Sequence, residues 1–130
     1  MIPAFRRTVL SYGRFDSFGL HHSAFLQHAM TLGDELIIGC ATDRYSLARG
    51  LPCAQPFELR KAMLEHCRYV DRVIILQDFA QIRTDIVNYN ASVLVVSQDD
   101  PAAFDTLHDI VQIQYLPTAA AKQPPLLQAV

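Results

Sequence analysis

Apolar and polar residues fall in blocks along this chain, and the blocks change period in a regular order. Thr8 to Tyr12 carries the short apolar run Thr8-Val9-Leu10 and reads as a buried strand. From about Leu20 to Thr31 the apolar residues Phe25, Leu26, Ala29 and Leu32 recur at three-to-four spacing, which predicts a helix, and Gly33 stands at its C-terminal stop. Glu35 to Ala41 is almost continuously apolar, as a strand covered on both faces should be. Thr42-Asp43 opens a short helical turn through Leu47, and Arg49 to Gln55, with Gly50 and Pro52, is a loop. Pro56 to Tyr69 reads as a helix with proline in its first position. A strand over Asp71 to Gln77, a helix over Phe79 to Tyr89 and a strand over Ser92 to Ser97 follow. A short helix over Phe104 to Asp109 and a strand over Val111 to Leu116 complete the series. The last strand alternates more than the others, which suits a place nearer an edge.

Strand and helix alternate about five times. That rhythm predicts a Rossmann-like doubly wound α/β sheet of about five parallel strands in a single domain. The domain is expected over residues 1–117, followed by a C-terminal tail over 118–130 that has no apolar period before Leu126. Ligands on such sheets sit beyond the carboxyl ends of the strands. Arg14 to His22, Asp43 to Pro52, Ser97 to Pro101 and the residues from Pro117 onward all follow strands, so they are expected to gather at one edge.

Composition narrows the classes. The chain has 130 residues, 51% of them hydrophobic and 18% charged, enough for a real core and contrary to disorder. A net charge of −2 does not suit non-specific nucleic-acid binding, and the five tyrosines form no stacking array of the RNA-binding kind. The three cysteines, Cys40, Cys53 and Cys67, have no metal-ligand spacing and read as reduced thiols. No run approaches the ~20 apolar residues of a membrane span. A cytoplasmic protein without membrane or nucleic-acid partners is the expectation.

The candidate chemistry lies in Ser11-Tyr12-Gly13-Arg14-Phe15-Asp16-Ser17-Phe18-Gly19-Leu20-His21-His22. A strand that turns into a helix there offers unpaired first-turn N–H groups and the positive end of the helix dipole, a ready anion site. Two histidines at that point can add donors. A metal-hydrolase reading on His21, His22 and Asp16 is weaker, because adjacent histidines at a helix start do not easily face one ion and no His-x-x-x-His is present. His28, His66 and His108 are isolated and read as surface or satisfied histidines.

The same stretch resembles nucleotidyltransferases of the glycerol-3-phosphate cytidylyltransferase type, with almost no gaps to about Pro117. That family has Gly-Thr-Phe-Asp and then His-x-Gly-His at the first helix. Gly13, Phe15, Asp16 and His22 stand at matching places. The first signature histidine is Gly19 here, the signature glycine is His21, and the threonine is Arg14. The resemblance implies transfer from CTP, with Mg2+, to a phosphorylated small alcohol, in a homodimer. It implies catalytic roles for His22 and His21, and nucleotide contacts for Arg14, Phe15, Asp16, Arg49 and Asp99. Arg68 in Arg68-Tyr69-Val70-Asp71 is implied near the substrate phosphate and the subunit contact. His21 either replaces the lost donor or blocks the pocket. Arg60 and Lys61 match the family closely and equally suit a solvated helix face. A second family lysine position holds Leu51, and Asp99 and Asp100 equally suit capping of the next helix.

After Tyr115-Leu116-Pro117 the family's Arg-Thr-x-Gly-x-Ser-Thr-Thr is replaced by Thr118-Ala119-Ala120-Ala121-Lys122-Gln123-Pro124-Pro125. One preorganised donor is worth ~10²–10³ in rate. With a histidine, an arginine and a hydroxyl cluster missing, the expectation is a cytidylyltransferase-like protein whose transfer is impaired or lost, a pseudoenzyme serving as a nucleotide- or protein-binding module. The alternative is an active enzyme rewired through His21, Arg14, Arg49 and Lys122.

Overall fold

A computed structural model describes residues 7–97 and 106–116. Nine elements are placed: β1 (Thr8–Gly13), α1 (Leu20–Met30), β2 (Glu35–Ala41), α2 (Asp43–Ala48), α3 (Phe57–Glu65), β3 (Arg72–Leu76), α4 (Gln81–Asn88), β4 (Ala91–Ser97) and β5 (Gln112–Leu116). The five strands form one parallel sheet in the order β3-β2-β1-β4-β5. The predicted fold class stands, and β5 is an edge strand as its alternation suggested.

Alternate residues of the strands supply two cores. Val9, Leu36, Ile38, Val93 and Val95 pack with Leu26 and Ala29 of α1 and Leu64 of α3 on one face. Leu10, Ile37, Leu94 and Val96 pack with Ile82 and Ile86 of α4 on the other. Each fully buried aliphatic side chain of this kind contributes ~1.5–3 kcal/mol. The face changes between β1 and β4: chain leaving β1 and β2 returns on the α1–α3 face, and chain leaving β3 crosses on the α4 face to reach β4. That reversal opens a crevice at the strands' carboxyl ends.

Element ends differ from the sequence reading where side chains intervene. The third helix stops at Glu65 rather than Tyr69, with His66 as its C-cap: the His66 N–H bonds the Ala62 carbonyl, and its ring Nδ1 lies 2.8 Å from the same oxygen. The chain then turns so that Asp71 exchanges two hydrogen bonds with Leu36, one from its backbone N–H to the Leu36 carbonyl and one from the Leu36 N–H to its carboxylate. Pro56 caps this helix instead of opening it. The fourth helix starts at Gln81, whose side-chain oxygen accepts from the Gln77 and Asp78 N–H groups and holds the residues before it in a turn. Of the expected short helix over Phe104 to Asp109, residues 106–109 are described: 106–107 are 3-10 helical and run into a turn closed by Ile110 N–H on the Leu107 carbonyl. The expected tail lies outside the described residues.

Arg60 overturns the solvated-face reading. It is 0% exposed. Nε donates to the Gln55 carbonyl at 3.0 Å, Nη1 donates to the Arg14 and Ala41 carbonyls at 2.8 Å each, and Nη2 meets Asp43 Oδ1 at 2.6 Å. One guanidinium thus fastens the turn after β1, the end of β2, the start of α2 and the loop before α3. Lys61 behaves as a surface residue and pairs with Glu65.

Emptying the site of a large, fully buried side chain typically costs ~2–5 kcal/mol. Arg60→Ala is expected to lose at least ~3 kcal/mol in urea unfolding, because it leaves that space empty and removes the bonds to three carbonyls and to the half-exposed Asp43 carboxylate. Arg60→Lys is expected to recover only a minor part, lacking the planar fork. A loss under ~1 kcal/mol for Arg60→Ala would show that the fork is dispensable.

Candidate active site

The crevice holds a cavity of about 510 Å³. Tyr12, Gly13, Arg14, Phe15, Asp16, His21 and His22 line it from the first crossover, Tyr45, Ser46, Arg49 and Leu51 from the second, and Val95 to Ser97 from β4. Of the residues singled out in the sequence, His21, His22, Arg14, Phe15, Asp16 and Arg49 are therefore brought together. Arg68 is not: it is exposed, does not line the cavity, and precedes β3 at the opposite end of the sheet, with its guanidinium over the Tyr69 ring. Asp99 and Lys122 lie outside the described residues.

The turn into α1 is built tightly. Phe15 and Ser17 take left-handed backbone conformations, φ 50° and 51°, which non-glycine residues seldom adopt. The Phe15 ring then folds back against Gly13, where a Cβ would lie 2.9 Å from it. Both Asp16 oxygens are occupied, accepting from the Ala54 and Gln55 N–H groups at 2.7 and 3.0 Å. These bonds, the Ala54 one foremost, hold the Asp16 carboxyl below its usual range. Arg14 Nη1 reaches the Leu51 and Pro52 carbonyls at 3.4 and 3.3 Å. Asp16 and Arg14 thus join the turn after β1 to the 49–55 loop while remaining in the cavity wall.

His22 sits in the third position of α1, and its Nδ1 accepts from the Gly19 N–H at 3.1 Å. An accepting Nδ1 on a neutral ring puts the proton on Nε2, so this cavity-lining imidazole keeps one N–H to donate. The ring packs with Phe15, Phe18 and His21, the last at 3.8 Å between centroids. Burial first, then neighbouring His21, lower its pKa to about 4 against a partial counter-effect of Asp16. His21 lines the cavity beside it, so it forms part of the wall of an open space. Arg49 donates to the Tyr45 hydroxyl at 3.0 Å and lies 5.5 Å from that ring's centroid.

A sequence model of the cytidylyltransferase-like family matches residues 10–119. The chain belongs to this family. It is 36% identical over 111 residues to the glycerol-3-phosphate cytidylyltransferase of Bacillus subtilis (strain 168), covering 85% of this chain and 86% of that protein. It is 33% identical over 110 residues to the glycerol-3-phosphate cytidylyltransferase of Staphylococcus aureus (strain NCTC 8325 / PS 47), covering 85% and 83%. The lipopolysaccharide core biosynthesis protein of Thermoplasma volcanium GSS1 shares the fold, with a TM-score of 0.74 at 21% identity over 86% of this chain and 97% of that one. Among the described residues of this cytidylyltransferase-like chain, no helix is long and apolar enough to cross a membrane.

The sequence placed Tyr12 in the candidate stretch and the Asp43–Pro52 segment at this edge, but singled out none of Tyr12, Tyr45 and Ser46 as cavity wall. Tyr12 follows the buried run of β1, and its ring packs across Gly39, where a Cβ would collide with the ring. Its hydroxyl donates to Asp85 at 2.8 Å. A glycine within the apolar run of β2 was the available signal, since it marks close approach of another group.

His22 is expected to titrate with a midpoint near 4 in a proton NMR series, with nitrogen shifts of the Nε2–H tautomer at neutral pH. Because the folded-state value lies below the unfolded ~6.5, stability is expected to be full above pH ~6.5 and to fall as pH drops toward 4. A midpoint near 6.5 would contradict the buried neutral ring.

Proposed function

We propose that the protein binds CTP in this cavity and transfers the cytidylyl group to a phosphorylated small alcohol, working in the cytoplasm. The observation that carries the reading is the neutral His22 ring, seated at the start of α1 with Arg14 and Arg49 in the same cavity wall. A phosphate oxygen of the alcohol attacks the α-phosphorus of CTP, the bond to the bridging oxygen breaks, and pyrophosphate leaves. Such a reaction asks the protein for position and for donors aimed at developing charge. His22 supplies a neutral donor and the two arginines supply permanent charge. Magnesium arrives on the triphosphate as part of the substrate. The relatives named glycerol-3-phosphate cytidylyltransferase support glycerol 3-phosphate as the first acceptor to try.

A second reading, binding without turnover, is favoured by Gly19. It has no side chain to donate, and its own N–H is spent on His22. A homodimer is also part of the proposal, supported by the exposed Leu59 and Met63 on α3 and by exposed Arg68.

With CTP, Mg2+ and glycerol 3-phosphate, steady pyrophosphate release is expected, and His22→Ala should lower it ~10²–10³-fold. CTP binding without pyrophosphate release would move the case to the binding module, and no CTP binding would overturn both readings. Sedimentation should give twice the 14.6 kDa chain mass; a monomer would remove the dimer.

A further inference from the structure

Ser46 lies on α2, is 1% exposed, and carries the one buried side-chain oxygen among the described residues that has no hydrogen-bond partner. It also lines the cavity. An unpaired buried hydroxyl is costly and uncommon, and alanine would suit a helix better at the same volume. The hydroxyl is therefore best explained by a group that the cavity admits, reached by rotation of a side chain with a single heavy-atom torsion.

Its surroundings say which kind of group. The cavity that Ser46 lines also has Ala41, Leu76 and Ile82 of the α4-face core in its wall. The two nearby phenols have partners already: Tyr12 donates to Asp85, and Tyr45 accepts from Arg49. Arg49 follows Ser46 by three residues, which places it on the same side of the helix. A permanent cation and a neutral hydroxyl lining one cavity that also has apolar walls fit a phosphate ester whose carbon chain carries a hydroxyl of its own.

We propose that Ser46 hydrogen-bonds a carbon-borne hydroxyl of the phosphorylated alcohol, so that this wall selects polyol phosphates over simple alkyl phosphates. The assignment rests on the cytidylyl-transfer reading above, since it names the acceptor side of that same cavity.

The test compares glycerol 3-phosphate with propyl phosphate, which lacks both carbinol hydroxyls, by calorimetry on the full chain. Titrations are made with and without saturating CTP, in a chelator to prevent turnover. The wild type is expected to prefer glycerol 3-phosphate about tenfold, the worth of one net hydrogen bond. Ser46→Ala should weaken glycerol 3-phosphate by about that factor and move propyl phosphate less than about threefold. The variant should melt at or above the parent temperature, because an orphan is removed. An undiminished preference in Ser46→Ala, or equal weakening of both esters, would overturn the assignment. Wild type that binds CTP without distinguishing the esters would overturn it while leaving cytidylyl transfer standing. Wild type that binds neither CTP nor either ester would overturn both.

Discussion

The structure depends on the guanidinium of Arg60. A charge at 0% exposure is tolerable only when its hydrogen bonds are met, and here they are met by four segments at once. Arg14, Ala41 and Gln55 give carbonyls and Asp43 gives a carboxylate, itself held well below its usual range mainly by this bond. Asp43 Oδ2 also accepts from Phe57 N–H at 3.1 Å, so the start of α2 is tied to the start of α3. These bonds, together with those of Asp16 and Arg14 to the 51–55 loop, fix two parallel crossovers beside one another. The cavity is the space they leave.

That space has two chemically different ends. Toward α1 it has His22, His21 and the Phe15 ring, with backbone strained at Phe15 and Ser17 to bring the turn close. Strain of this kind persists where the surroundings over-determine it, and the Asp16 bonds to Ala54 and Gln55 are part of what does so. Toward α4 it has Tyr12 and Tyr45 with aliphatic neighbours, and Ser46 of α2 also lines the space. The first end suits phosphate oxygens and the second a small, partly apolar group carrying a hydroxyl. A reaction that joins a nucleotide to a phosphorylated alcohol needs both.

Much of this was legible in the sequence. Blocks such as Glu35–Ala41 and Ala91–Ser97 are apolar on both faces, and only a covered parallel strand needs that. The residues of the first turn were legible too, because Gly13, Phe15, Asp16 and His22 form a recognisable series. What was not legible depended on long-range pairing. Arg60 in Leu59-Arg60-Lys61 looks like a solvated helix face until Arg14, Ala41 and Asp43 are brought around it from up to 46 residues away. Arg68 sits in a stretch that matches the family, yet its place before β3 puts it at the far end of the sheet. Ser46 carries no local signal at all, since its significance is an unmet hydrogen bond.

The most direct measurement is a crystal structure of the protein soaked with CTP and magnesium. The account predicts the triphosphate at the start of α1, with His22 Nε2 within hydrogen-bond distance of a phosphate oxygen and Arg60 still holding the four segments together. Nucleotide bound elsewhere, or a His22 ring turned away from the phosphates, would contradict it.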